Sequence, residues 1–183
     1  MQIISERSSI NSPRFFQPFS IGKLTSTPIG PLWIALSDLG LVAIDWSMGQ
    51  ADFTQHILQR FKANVIYDDA LTAEPLRQLF EYLTGNRREF DLALDLTHMS
   101  QFQVQVLKLT LDIPFGQTAT YKEIAAHLGN PLSARAVGRV EATNPIPLVI
   151  PCHRVIGSDG SLHGYGGPGG IKLKAWLLCI EPL

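Results

Sequence analysis

The chain has 183 residues, of which 45% are hydrophobic and 17% charged; that suits one generous domain or two small ones at roughly 150 residues each, and it excludes a disordered tail protein. A formal net charge of −1 excludes a polycation that coats nucleic acid by charge alone. No apolar run approaches the roughly 18 residues of a membrane helix, and two cysteines, Cys152 and Cys179, are too few for a disulfide framework or a cysteine-rich zinc module.

The opening MQIISERSSINSPRFF lacks the basic-then-apolar order of a secretory signal, so a reducing, cytoplasmic setting is expected. Residues 1–19 are polar and proline-punctuated, and they read as an arm with little structure of its own. GKLTSTPIG, PLWIALSD and GLVAIDW follow as short apolar runs split by turn residues, a hairpin signal. From Ala51 to Lys62, Phe53, Ile57, Leu58 and Phe61 recur at helical spacing. Leu76, Leu79, Phe80 and Leu83 do so again, with Pro75 expected in the first turn and Gly85 as the stop. Glu89–Leu96 reads as a link. Residues 20–97 therefore read as a small α/β domain without chemistry of its own.

Residues 1–97 carry eight Lys/Arg against eleven Asp/Glu; residues 98–183 carry seven against five, with four of the five histidines. A mildly basic C-terminal half permits nucleic-acid contact, and ordinary charge scatter explains it equally well. Residues 100–113 fit a helix whose apolar face is Phe102, Val106, Leu109 and Ile113, with Ser100 and Gln103 spaced as a capping box. Thr120 caps the next helix, which turns Ile124 and Leu128 inward and ends at Gly129. After Asn130-Pro131-Leu132, Ser133 is expected to cap a helix running to about Thr143, ended by Asn144-Pro145. Two helices around a tight turn have the shape of a helix-turn-helix and equally of an ordinary helical hairpin. Ala134 and Gly138 give the second helix a face without bulk, open to close approach by a packing partner or by a DNA groove.

NPIPLVIPCHRVIGSDG holds the chemistry. Pro147 and Pro151 stiffen the segment around Cys152. A thiolate is a strong nucleophile that needs a base or positive surroundings, and His153 and Arg154 follow at once, so a lowered thiol pKa is expected. Neighbouring side chains on an extended chain point apart, so His153 would act through a bend or a water. Cys179, in the apolar IKLKAWLLCI helix, reads as a packing cysteine, and Glu181 by itself as a solvated terminal charge.

IPFGQTATY, IAAHLGNP, SARAVG, NPIPLVIPCHRVIG, GYGG and KAWLLCIE together resemble the O6-alkylguanine-DNA alkyltransferases, from Phe102 to Glu181. STPIGPLWIALSDLGLVAIDW resembles that family's N-terminal domain. The resemblance implies an α/β + α fold. A small ribonuclease-H-like α/β domain precedes a mostly helical domain (98–183) with a helix-turn-helix. It implies a monomer, with no cofactor, zinc site or membrane, acting on double-stranded DNA that contains alkylated guanine, with alkylated thymine the second candidate. Cys152 would take the alkyl group from a flipped base in one stoichiometric turnover.

Residue by residue, the resemblance has His153 deprotonate Cys152 through water, Glu181 orient His153, Asn144 hold the turn and Tyr121 protonate the leaving guanine. The carbonyls of Cys152 and Val155 would accept from the exocyclic amine. Tyr165 and Gly166 would cover the base, and Arg135 would fill the stack. Ala134 and Gly138 would meet the minor groove, with Lys122, Asn130, Pro147 and Ser158 among the DNA- or base-contacting residues. An alkyltransferase-like binder would lack Cys152, and a Cys-His acyl hydrolase would need an oxyanion hole and turn over repeatedly.

Three features depart from the family pattern. The loop GGPGGIKLK after Tyr165 is longer by about two residues than the common family form, Gly166 has no side chain to offer a base, and Glu141 stands where an uncharged residue is expected. At about 3.6 residues per turn, Glu141 lies near the face of Ala134 and Gly138. Its helical neighbours offer no base. It either pairs with a basic group from elsewhere or opposes approach to phosphates, and weakened DNA binding is the expectation.

Overall fold

The computed structural model describes residues 2–4, 18–166 and 169–181, and the chain divides into two units, Met1–Met99 and Ser100–Leu183. In the first unit, β2 (Phe19–Leu24), β3 (Leu32–Ser37) and β4 (Gly40–Asp45) form an antiparallel meander. Their apolar runs barely alternate because both faces of the sheet are covered. Phe19, Ile21, Trp33 and Ala35 pack with Phe53, Ile57 and Phe61 of α1 (Gln50–Phe61). Gly22, in the other register, abuts Thr72 of α2 (Asp69–Leu83).

Three short strands complete the sheet, in the order β1-β6-β4-β3-β2-β5. β5 (Val65–Tyr67), which the sequence does not announce, runs parallel to β2. The expected link contains β6 (Ala93–Asp95), parallel to both β1 (Gln2–Ile4) and β4. Gln2–Ile4 is thus a sheet strand rather than part of an unstructured arm, and the Leu96 amide bonds the Ile4 carbonyl at 2.8 Å. The rest of that expected arm, 1 and 5–17, lies outside the described residues, as do Gly167 and Pro168 of the longer loop.

Pro75 is not in the first turn of its helix. α2 starts six residues earlier, where Asp68 Oδ1 accepts from the Leu71 amide at 2.9 Å. A proline inside a helix removes the bond to the carbonyl four residues back. That carbonyl belongs to Leu71, an exposed residue at the solvent side of the helix. Phe80, expected inward, is exposed, and Tyr82 takes the buried position instead.

The second unit is helical. α3 (Gln101–Leu111) carries the expected Ser100/Gln103 capping box, and Val106 and Ile113 are buried as expected; Val104, Leu107 and Thr110 join them, while Phe102 is exposed and Leu109 half-buried. α4 (Tyr121–His127) has a Thr120/Glu123 capping box, and a 3-10 turn at Pro131–Ser133 leads into α5 (Ala134–Ala142). Ser133 does not cap α5; its hydroxyl donates to the Asn130 carbonyl at 2.7 Å. α6 (Gly170–Cys179) closes the unit, and β7 (Ala119–Thr120) pairs in parallel with β8 (Val155–Ile156).

Gly40 carries the tight turn between β3 and β4 at φ 142°, and a side chain there would overlap the backbone of Ala93 in β6. Both strain and overlap oppose any larger residue. Gly40→Ala is expected to destabilise the chain by about 2 kcal/mol or more, read as a lowered urea midpoint.

Candidate active site

The Cys152 turn is built by hydrogen bonds that close over very short loops. Asn144 Oδ1 accepts from the Ile146 amide at 3.0 Å, and its Nδ2 donates to the Ile150 carbonyl at 2.9 Å. The Ile150 amide bonds the Ile146 carbonyl at 2.9 Å. Between them, buried Leu148 is held at φ 73°, a conformation that a branched residue keeps only when its surroundings impose it. Pro151 then leads into a 3-10 turn, Cys152–Arg154, which places three buried side chains in succession.

Glu181 anchors this turn. His153 Nε2 donates to Glu181 Oε1 at 3.1 Å. Arg154 donates to both carboxylate oxygens, from Nε at 2.9 Å and Nη2 at 2.8 Å, and its Nη1 donates to the Ile113 carbonyl at 2.6 Å. The Gly116 amide adds a donor at 3.4 Å. Glu181 is 3% exposed and His153 fully buried, so the terminal glutamate is not a solvated charge. Burial lowers the imidazole pKa, against the opposing pull of Glu181. The ring is then neutral near pH 7, with its proton on Nε2 and its basic lone pair on Nδ1.

The expected lowering of the Cys152 pKa does not occur. Burial pushes the thiol up to about 12, with a further push from Glu141; a hydrogen bond from Asn144 and the charge of Lys174 pull the other way. Sequence adjacency to His153 and Arg154 fails as a signal because Arg154 is committed to Glu181 and the imidazole is uncharged.

Glu141 does not face a groove. It is 6% exposed, on the buried stripe with Val137 and Val140, and Thr110 of α3 donates to its Oε1 at 2.6 Å. Burial raises its carboxyl to about 7. Its basic neighbour comes from elsewhere in the fold: Lys174 of α6, 1% exposed, donates to the Val155 carbonyl at 2.6 Å and lies 5.8 Å from the Tyr121 ring. The Val155 carbonyl therefore already holds one donor, and the Cys152 carbonyl accepts from the Val155 amide.

Tyr121, half-buried at the start of α4, has its hydroxyl pKa raised by burial and then by Glu141 and Cys152. Gly138 stands against this ring, 3.8 Å from where a Cβ would sit. Tyr165 stands edge-on to His153, with centroids 6.4 Å apart. Arg135, Lys122, Asn130, Ser158 and Gly166 are exposed, Ala134 is half-buried and Pro147 is buried. Sequence reasoning missed Lys174 and Thr110, and it assigned Arg154 to the thiol rather than to Glu181. No spacing or pattern in the sequence signals Lys174 or Thr110, whose partners lie 19 and 31 residues away. Cys179, expected to pack, is exposed.

A family model described as 6-O-methylguanine DNA methyltransferase, ribonuclease-like domain, matches residues 22–96. Its DNA binding domain counterpart matches residues 101–182. A methylated-DNA–protein-cysteine methyltransferase of Methanosarcina barkeri is 40% identical over 86% of this chain and 94% of its own length. The chain belongs to the 6-O-methylguanine DNA methyltransferase family. The Salmonella typhimurium methyltransferase of the same name is 38% identical over 85% of this chain and 92% of its own. Mycobacterium tuberculosis OGT, solved in complex with DNA, superposes with a TM-score of 0.74 at 38% identity, over 88% of this chain and 92% of that one. The α/β plus helical architecture is thus that of the family.

In this methyltransferase-family chain the burial of Cys152 and the exposure of Cys179 predict reactivities opposite to those expected from the sequence. Iodoacetamide at pH 7.5 in the absence of DNA is expected to label exposed Cys179 at least tenfold faster than Cys152, as read by peptide mass mapping. Labelling of Cys152 should still be accelerating above pH 9. Preferential labelling of Cys152 would contradict the raised thiol pKa.

Proposed function

We propose that the chain repairs DNA by moving the alkyl group of an O6-alkylguanine onto Cys152, once per protein molecule. The observation that carries this reading is a buried thiol in a turn clamped by Asn144, followed directly by a neutral histidine oriented by Glu181. An alkyl carbon inside a duplex is out of reach, so the base must leave the stack. The Cys152 thiol gives its proton to His153 through a water, and sulfur attacks the alkyl carbon. The S–C bond forms as the C–O6 bond breaks, and the electron pair departs with the guanine. Tyr121 protonates that leaving group, so the guanine gains a proton for the one the thiol lost. The product thioether has no route back to a thiol, hence one turnover.

The exposed Arg135 suits the vacated position in the stack, and Ala134 beside it allows a close minor-groove approach of α5. Lys122, Asn130 and Ser158 are exposed and available to DNA, while Tyr165 and Gly166 cover the base. Incubation with a duplex carrying one O6-methylguanine should add a single methyl mass, mapped to Cys152 and absent in Cys152→Ser. Transfer to Cys179, or repeated turnover, would overturn the assignment.

Arg135 separates extrusion from chemistry. Arg135→Ala should slow transfer from duplex by roughly ten- to thousandfold while leaving reaction with free O6-alkylguanine near the wild-type rate, because extrusion costs a few kcal/mol. Equal losses on both substrates would assign Arg135 to chemistry or folding.

A further inference from the structure

Glu141 stands on α5 as a buried carboxyl whose charge acts on Cys152. From α3 the neutral hydroxyl of Thr110 bonds it; Tyr121 of α4, Cys152 of the active-site turn and Lys174 of α6 couple to it electrostatically, with the Tyr121 ring against Gly138 three residues earlier on α5 and 5.8 Å from the Lys174 ammonium. Its Oε1 is occupied by Thr110, and its Oε2 is buried with no hydrogen-bond partner among the described residues. Lys174 acts electrostatically on both Cys152 and Glu141. Its ammonium is fixed by the Val155 and His163 carbonyls, at 2.6 and 3.4 Å, and so cannot follow whichever anion forms.

We propose that Glu141 is a positioning residue that competes with the Cys152 thiolate for the fixed charge of Lys174, so that alkyl transfer is fastest when the Glu141 carboxyl carries its proton. This rests on Cys152 being the alkyl acceptor. When Glu141 is neutral, the ammonium is opposed by no anion, and a developing thiolate takes its full field. When Glu141 is ionised, the ammonium is already compensated, and a second anion must form beside the first in a low-dielectric site. The carboxyl lies near 7, raised by burial, so both forms are populated around neutral pH. Its inhibitory anion appears as pH rises through that value, against the general rise in thiolate formation. The Thr110 hydrogen bond favours the anion and thereby sets where the change falls.

The test is single-turnover transfer from a duplex carrying one O6-methylguanine, with duplex saturating, between pH 6 and 8.5. Glu141→Gln should match wild type within about twofold at pH 6 and exceed it by about three- to tenfold at pH 8.5. Thr110→Val leaves the carboxyl in place but removes the bond that favours its anion. It should shift the profile the same way and more weakly. A purely structural role would lower the rate of both variants at every pH, together with the melting temperature. A rate ratio that is flat across pH in both variants overturns the proposal. If Glu141→Gln fails to fold, Thr110→Val decides alone. Peptide mapping of the wild-type product keeps the two readings apart: without methyl on Cys152 the repair assignment fails, whereas methyl on Cys152 with flat ratios sinks only the role of Glu141.

Discussion

The Glu181 carboxylate is the anion on which the active-site architecture depends. It lies two residues beyond the end of α6, yet it binds His153 and Arg154 of the cysteine turn and the Gly116 amide of the loop after α3. Desolvating a carboxylate and a guanidinium costs several kcal/mol for each ion, and only close geometry with every donor used offsets that cost. Here the guanidinium lies bidentate on the carboxylate and places its remaining arm on the Ile113 carbonyl. The pair thus joins three segments distant in sequence, and it dictates the histidine tautomer as a by-product. An uncommitted carboxylate would orient His153 without holding the turn.

The same turn shows how rigidity is obtained without regular structure. The stretch from Asn144 to Val155 contains little helix or strand, yet most of it is buried and must satisfy its backbone polar groups. Asn144 does this for both ends of the segment around Leu148, standing in for backbone partners that prolines at 145, 147 and 151 cannot supply. The left-handed Leu148 is the strain that remains. A cysteine held this way keeps a fixed direction of attack, which in-line displacement at carbon requires.

What could be read in the sequence divides along the range of the interactions. The capping boxes at Ser100 and Thr120 involve partners three residues apart and emerge as expected. Gly85 and Gly129 end their helices for equally local reasons. β6 and β1 failed as expectations because three-residue strands carry no periodicity; their partners lie far along the chain. Glu141 failed for a related reason. At about 3.6 residues per turn it sits between the Ala134/Gly138 face and the Val137/Val140 stripe. Thr110, 31 residues away, decides which side it joins. Cys179 is exposed against expectation because a helix of nearly uniform hydrophobicity does not announce which side it buries, and Glu181, beyond that helix, is buried by partners 27 and 28 residues back. The role of Glu181 came from family resemblance, and no composition or spacing argument supplied it.

A thiol raised to about 12 and buried beside a neutral histidine is a poor nucleophile at rest, which fits the proposed single use. A cysteine activated in the free protein would react with any small electrophile, and each such event would remove one molecule permanently. Burial reverses this by desolvating the anion. In the proposed transfer that cost falls when the base brings its alkyl carbon into line, because the developing charge then moves from sulfur toward the leaving guanine. The residues that modulate the thiol, Glu141 and Lys174, come from helices α5 and α6, which the family resemblance ties respectively to DNA contact and to the segment that carries Glu181. Reactivity is thereby tied to the assembled site rather than to the cysteine alone.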